Sequence, residues 1–270
     1  MSVAVAAPAR TSQGDDYTRF CEGIHKLTGI DLLQYKRGQM ERRIRTFASG
    51  RGVADLARYL THLSGDRAEL EAFLDRVTIN VSQLWRNPQE WESLAGDVLP
   101  ELARGGRVRC WSAGSSYGAE AYTLAATFLE AVRGGRIEVH GTDIDPRMVA
   151  RAKEGRFSAE DARTAPVRSL ERWFERDGDG WLAKRELRSM TTFDTGDLLR
   201  MPFPTGRYDL VMCRNTVIYF TEDVRDALHA RLVTSIRPGG YFLIGSTERV
   251  SRPAEAGLEV VRPFLYRKVA

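Results

Sequence analysis

The stretch from Val108 to Leu129 constrains this chain more than any other. Val108–Trp111 is a short β-prone run that empties into Ser112-Ala113-Gly114-Ser115-Ser116-Tyr117-Gly118. An alanine- and leucine-rich segment of helical periodicity, Ala119–Val132, follows. Strand, glycine turn and helix in that order make the entry to a nucleotide-type site. Small residues let a ligand approach the backbone, and the free N–H groups at a helix start favour anions. The G-x-G-x-x-G phosphate fingerprint is absent, so a plain βα turn without a ligand competes with that reading.

The next run shifts the balance. Ile137–Thr142 reads as a second strand ending in Asp143-Ile144-Asp145. An acidic residue at that tip is placed to accept hydrogen bonds from a ribose diol. Matched features on adjacent strands point to a nucleoside-containing cofactor, either a hydride carrier or S-adenosylmethionine.

Further along, Tyr208–Cys213 is a near-continuous apolar run, as in a strand covered on both faces, and ends at Arg214-Asn215. Thr191–Asp194 forms a short strand leading to Gly196-Asp197-Leu198-Leu199. Thr221 is expected to cap a helix over Glu222–Ile236, and Arg237-Pro238-Gly239-Gly240 to turn the chain into a strand over Tyr241–Gly245. Gly257–Lys268 supplies a final β-prone pair. Alternating β and α elements imply a mostly parallel sheet with helices on both faces. Ligands of such sheets sit at the carboxyl ends of the strands, where Gly114, Asp143, Asp197, Arg214 and Asn215 all fall.

Residues 156–190 break that rhythm, with Phe157, Trp173, Phe174 and Trp181 around Asp177-Gly178-Asp179-Gly180. They read as an inserted β-subdomain built on a hairpin. Upstream, residues 16–78 pattern as four helices: Tyr17–Thr28, Gln34–Phe47, Asp55–Leu63 and Arg67–Val77. The second carries Met40, Ile44 and Phe47 on one face. Arg42 and Arg45 lie opposite, with Arg37 and Arg43 flanking, and Glu41 alone opposes them. A solvated face, a nucleic-acid surface and a dock for an acidic protein surface all fit such a cluster. No aromatic interleaving or zinc pattern supports the nucleic-acid reading. Residues 79–92 read as an ordered linker; in an extended segment Asn80, Ser82 and Arg86 would project from one side. Residues 1–15 read as a disordered leader, and 93–270 as the α/β domain.

No apolar run approaches the roughly 20 residues that cross a bilayer. Cys21, Cys110 and Cys213 are odd in number and lack metal-ligand neighbours, which fits a reduced, cytoplasmic compartment and no metal. The net charge of +4 is too mild to imply nucleic acid.

At CRNTVIYF (Cys213–Phe220), with TINVSQLWRN before the sheet and RPGGYFLIGSTE after it, the chain resembles the CheR chemotaxis-receptor glutamate methyltransferases. YKRGQMERRI, WSAG, AYTLA, GTDID and the DLL after the insert extend the resemblance from Tyr17 to the C-terminus. Each motif is weak alone, and their order and spacing together are specific. The resemblance implies an S-adenosylmethionine methyltransferase (Rossmann-like) fold with an all-helical N-terminal domain. It implies methyl transfer to the γ-carboxylate of receptor glutamates, with S-adenosylhomocysteine as product. By resemblance, Asn80, Ser82 and Arg86 contact the cofactor or guard the transfer site. Glu120 holds the methionine amino group, Asp143 the ribose hydroxyls, and Asp197-Leu198 lie by the adenine. Arg214, Asn215 and Tyr219 close the catalytic face. Arg86 and Arg214 orient the substrate carboxylate, Tyr219 hydrogen-bonds nearby, and the receptor's cytoplasmic helical bundle docks on Arg37, Arg42, Arg43 and Arg45. A monomer is expected.

This chain departs from the family pattern in several places. Ser82 stands for Thr and Leu84-Trp85 for a pair led by Phe. Ser115-Ser116-Tyr117-Gly118-Ala119-Glu120-Ala121 stands for Cys-Ser-Thr-Gly-Glu-Glu-Pro, and Asp197 for Asn. Two other readings stay open here: a degenerate signalling module without turnover, and a methyltransferase acting on another substrate.

Overall fold

A computed structural model describes residues 15–78 and 82–269, which form two compact units on either side of residues 79–81. The first is all helical: α1 (Asp16–Thr28), α2 (Arg37–Gly50), α3 (Leu56–Gly65) and α4 (Arg67–Thr78). Asp15 caps α1 by accepting the Thr18 N–H, and Gly29 ends it at φ +78°. Phe20, Tyr59 and Phe73 are fully buried and meet with ring centroids 5.7, 5.9 and 6.1 Å apart. The second helix begins later than its periodicity suggests. Asp31 accepts from the Leu33 N–H and the Gln34 amide, closing a separate 3₁₀ turn over Leu32–Gln34 before an extended Tyr35.

The basic face of α2 is not opposed by Glu41 alone. Arg37 pairs with Asp15 and Glu41, and Arg45 with Asp16 and Glu41 at 2.9 and 2.8 Å. Arg43 donates to the carbonyl of Val77. Arg42 is exposed and makes no ion pair among the described residues. The neutralising Asp15 and Asp16 come from the start of α1, a proximity that no helical wheel of α2 contains.

The second unit begins with α5 (Pro88–Ser93), which runs through a π-helical turn, Leu94–Val98, into α6 (Leu99–Ala103). Then come β1 (Arg107–Ala113), α7 (Ala119–Ala131), β2 (Arg136–Asp143) and α8 (Pro146–Glu154). The insert holds β3 (Arg156–Phe157), α9 (Val167–Trp173), β4 (Phe174–Asp177), β5 (Gly180–Ala183) and α10 (Arg185–Met190). The chain finishes with β6 (Thr191–Thr195), β7 (Tyr208–Cys213), α11 (Glu222–Ser235), β8 (Ile236–Ile244), β9 (Leu258–Arg262) and β10 (Leu265–Lys268).

Seven strands make one sheet in the order β6-β2-β1-β7-β8-β10-β9. The first five are parallel; β10 pairs antiparallel with β8 and with β9. Every residue of β7 is buried, as its near-continuous apolar run requires of a central strand, and its one charged residue, Asp209, is held by Arg237 and the Arg109 N–H. Cys110 and Cys213 are buried in this unit and Cys21 in the first; none of the three forms a disulfide.

Three local expectations give way to tertiary structure. The insert is mixed rather than purely β: its three strands, ordered β3-β5-β4, keep the expected hairpin at Gly178-Asp179, but α9 and α10 flank them. Glu130 on α7 anchors α9 by accepting from Ser169 Oγ at 3.0 Å and Trp173 Nε1 at 2.9 Å. Arg237-Pro238-Gly239-Gly240 is a bulge inside β8 instead of a turn before it. Tyr208 faces Ile236 and Leu210 faces Tyr241, so the extra residues swell out, and Arg237 Nε binds Asp209 at 2.5 Å. Thr221 occupies the cap position of α11 without a side-chain capping bond. Glu222 and Asp223 in the first turn supply the negative charge that the helix start favours.

Candidate active site

The parallel strands deliver the sequence candidates to one edge of the sheet. Ala113 lies beside Thr142, Asp143 beside Thr195, and Cys213 beside Ile244. Gly114, Asp143, Asp197, Leu198, Arg214 and Asn215 therefore all sit at or just past the carboxyl ends of neighbouring strands.

The glycine loop crosses toward β2 as it leaves β1. The N–H groups of Gly114 and Ser115 both donate to the Thr142 carbonyl, at 2.8 and 2.9 Å. Gly114 has φ +80°, and a Cβ there would lie 2.3 Å from Thr216 Oγ1, so no other residue fits. Ser115 Oγ and Ser116 Oγ are buried without a partner among the described residues. Tyr117, the bulky departure in this loop, turns toward the linker and the insert. Its hydroxyl meets the Ser82 carbonyl and lies 2.8 Å from Asp161 Oδ1, while the Arg151 guanidinium stacks 3.8 Å from its ring centroid.

Asp143 closes β2 with its carboxylate held by backbone. It accepts the Ser116 N–H at 2.7 Å and the Asp145 N–H at 3.0 Å. Burial raises its pKa to about 6, against the lowering effect of the N–H groups of Asp145, Ser116 and Ile144. Asp197 accepts the Leu199 N–H at 2.8 Å, an Asx turn that directs the chain past the end of β6, and Leu198 is buried beside it.

Arg214 is buried between two carboxylates. Nη2 lies 2.5 Å from Glu90 Oε2, and Nη1 lies 3.1 Å from Glu120 Oε2. Nη2 also donates to the Arg86 carbonyl at 3.1 Å, and Trp91 lies under the guanidinium at 5.3 Å. Glu120 takes a further bond from Ser112 Oγ at 2.8 Å. Sequence reading passed over Glu90 and Ser112. Ser112 stands in the quoted WSAG motif, whereas Glu90 has no local signal, because its partner lies on β7's far end.

The linker is not extended where Arg86 stands. Leu84–Asn87 form a turn, with Trp85 at φ +51° and Asn87 at φ +59°, so Ser82 and Arg86 do not share a side as residues of a strand would. Trp85 is buried as expected; its N–H donates to Thr123 Oγ1, and its ring meets Phe174 edge-on. Arg86 is half-buried, Tyr219 is half-buried in a 3₁₀ turn over Val217–Tyr219, and Asn80 lies outside the described residues.

Asn215 adopts φ +57° immediately after Arg214, and its N–H donates to Glu248 Oε2 at 3.1 Å. The Gly245 N–H donates to the same oxygen at 2.6 Å. Glu248 thus fastens the ends of β7 and β8 together. It was legible only as the last letter of the GSTE motif, with no role attached.

These residues fit a nucleoside cofactor bearing a cationic amino group. The loop at Gly114 has no room for a side chain, and two buried hydroxyls beside it have no partner among the described residues. An acidic side chain closes the next strand, and a carboxylate pair brackets Arg214. Fold and site together are those of an α/β protein with a strand-end edge suited to a nucleoside cofactor.

Residues 80–261 match the family model described as CheR methyltransferase, SAM binding domain, and residues 15–78 match that of the CheR methyltransferase all-alpha domain. The chain belongs to the CheR methyltransferase family. It is 32% identical over 255 residues to the chemotaxis protein methyltransferase of Listeria monocytogenes, covering 94% of this chain and 97% of that one. Chemotaxis protein methyltransferase 1 of Pseudomonas aeruginosa is 31% identical over 250 residues, with 87% and 90% covered. The solved structure of magnesium protoporphyrin IX methyltransferase from Synechocystis, with bound SAM, aligns at 17% identity and a TM-score of 0.39 over 71% of this chain and 78% of its own.

Proposed function

We propose that this protein transfers the methyl group of S-adenosylmethionine to the γ-carboxylate of glutamates in the cytoplasmic helical bundle of a methyl-accepting chemotaxis receptor. The products are a glutamate methyl ester and S-adenosylhomocysteine, and the protein acts as a cytoplasmic monomer. The observation that carries this reading is the convergence of the Gly114 loop, Asp143 and Glu120 on one strand-end edge, in a chain matched by both CheR models. No helix of the described residues is long and apolar enough to cross a membrane.

When bound, the cofactor supplies a methyl group already activated on a sulfonium centre. A glutamate side chain, with a reference pKa of about 4.3, is ionised at neutral pH and needs no general base. The protein's work is positioning. The Gly114 loop admits the nucleoside, Asp143 accepts from the ribose, and Asp197-Leu198 flank the base. Glu120 takes the amino group. Asn80, Ser82 and Asn215 line the transfer site. Arg86 and Tyr219 orient the acceptor carboxylate. Arg214 has both terminal nitrogens engaged, by Glu90, Glu120 and the Arg86 carbonyl, so its part is to hold Glu120. At the docking face, Arg42 leads, and Arg37, Arg43 and Arg45 contribute through side chains already engaged within the helical unit.

The test is transfer of labelled methyl from S-adenosylmethionine to receptor-containing membranes, followed by mild base, which releases methanol from a glutamyl ester and not from an N-methyl group. Absence of base-labile label would overturn the reading.

A further inference from the structure

Glu120 and Arg214 form a neutral pair when taken alone. A guanidinium 3.1 Å from a carboxylate cancels most of its field, and it repels any cation that approaches the same carboxylate. A site built only from these two residues would have little net attraction for an ammonium group. The structure holds a third charge. Glu90, from the first turn of α5, lies 2.5 Å from the other arm of Arg214. The three side chains are 15%, 3% and 12% exposed for Glu90, Arg214 and Glu120, so water screens them weakly. Two carboxylates against one guanidinium leave the cluster at −1. Arg86 also acts on Glu90; its effect ranks below those of Arg214 and Glu120, and it is half-buried, while on the other side the buried Glu248 carboxylate acts on Glu120 and adds to the negative charge.

A surplus buried charge costs free energy unless a cation completes it. Burial drives Glu90 the same way, raising its pKa above the usual glutamate value. Two carboxylates sharing one guanidinium at this depth mark a position where a further positive group belongs. Arg214 does not depend on Glu90 for its place, because the Arg86 carbonyl, Glu120 and the Trp91 ring also hold it.

We propose that Glu90 is a specificity-determining residue. It offsets Arg214 so that Glu120 presents net negative charge, and the Glu90–Arg214–Glu120 cluster thereby selects nucleosides that carry a cationic amino group. This rests on the cofactor reading above and adds to it the residue that makes Glu120 effective.

Calorimetric titration of the full chain with two ligands tests it. S-adenosylhomocysteine carries the ammonium group; methylthioadenosine is the same nucleoside thioether without the amino-acid portion. Glu90→Gln is expected to weaken S-adenosylhomocysteine about tenfold or more while methylthioadenosine stays within about twofold. The double variant Glu90→Gln/Arg214→Gln returns the cluster to −1 through Glu120, which Ser112 Oγ still holds at 2.8 Å, and it is expected to recover most of the lost preference. That recovery stands as the test by itself should the single variant fail to fold. Unchanged S-adenosylhomocysteine affinity in the single variant, equal losses for both ligands, or no recovery in the double variant would each overturn the proposal. A wild-type protein that binds neither ligand overturns the cofactor reading itself.

Discussion

The backbone N–H of Asn215 donates to Glu248 Oε2 at 3.1 Å, which ties the loop after β7 to the loop after β8. The Gly245 N–H shares that acceptor at 2.6 Å, and the Val217 N–H also faces the carboxylate. Glu248 is 4% exposed, so its removal strands several donors away from water. Glu248→Ala is expected to cost about 3 kcal/mol in urea unfolding, at roughly 1–3 kcal/mol per unsatisfied group. Glu248→Gln keeps an acceptor oxygen in place and is expected to cost about half as much. Equal losses in the two variants would show that shape, not acceptance, is what matters there.

Gly114 and Gly134 separate backbone strain from steric exclusion. Both have positive φ, +80° and +70°, but a Cβ at Gly134 meets nothing within 4 Å, whereas at Gly114 it meets Thr216 Oγ1 at 2.3 Å. Gly134→Ala is expected to cost about 1 kcal/mol, and Gly114→Ala about 3 kcal/mol or more. Adding Thr216→Ala to Gly114→Ala recovers part of the excess, read from denaturant midpoints.

Tyr117 holds the linker to the glycine loop. Tyr117→Phe keeps the ring under Arg151 and against Phe157, and deletes only the hydroxyl that meets Ser82 and Asp161. A loss of about 1–2 kcal/mol is expected. Amide exchange over residues 82–86 should quicken, with β7 unaffected. Uniform acceleration across the domain would count against a local role.

Asp143 gives the site a pH dependence. Its folded pKa, raised by burial to about 6 from 3.8, means that between those values the folded chain holds a proton that the unfolded chain has lost. Its contribution to stability therefore falls as pH rises from about 4 to about 6, by up to about 3 kcal/mol. Asp143→Asn should flatten that slope in melting curves. The ionised form is the better acceptor for a ribose diol, so S-adenosylhomocysteine affinity is expected to drop below about pH 6 in the wild type and to stay level in the variant.

His229 acts in the opposite sense. Burial, reinforced by Arg225 and opposed by Asp226, pushes its pKa down to about 4, and neither ring nitrogen has a partner among the described residues. The folded state keeps this ring neutral while the unfolded chain protonates near 6.5. Its stability contribution is complete above about pH 6.5 and is lost as pH falls toward 4, by about 3 kcal/mol. His229→Leu, packed in the same place against Phe242, should lose that acid slope when melting is followed from pH 7.5 to 4.5. An unchanged slope would place the titration elsewhere.

The strand–glycine–helix entry, the apolar run of β7 and the acidic tip of β2 were legible in the amino-acid sequence. Each is a local pattern: periodicity, a run of covered residues, or a polar residue where a strand must stop. Alternation of elements then placed Gly114, Asp143, Asp197, Arg214 and Asn215 on one edge without any coordinates. The motif order carried the family. What patterns could not supply were pairings between distant residues. Arg214 reaches Glu120 across 94 positions and the Arg86 carbonyl across 128, and Tyr117 meets the Ser82 carbonyl across 35. The same holds for Asp15 on Arg37, for Glu130 on Trp173, and for Asp209 on the Arg237 bulge that replaced an expected turn. A buried charge or donor takes whichever partner the packed chain brings within about 3 Å, and that choice is made by the whole fold rather than by neighbours in the sequence.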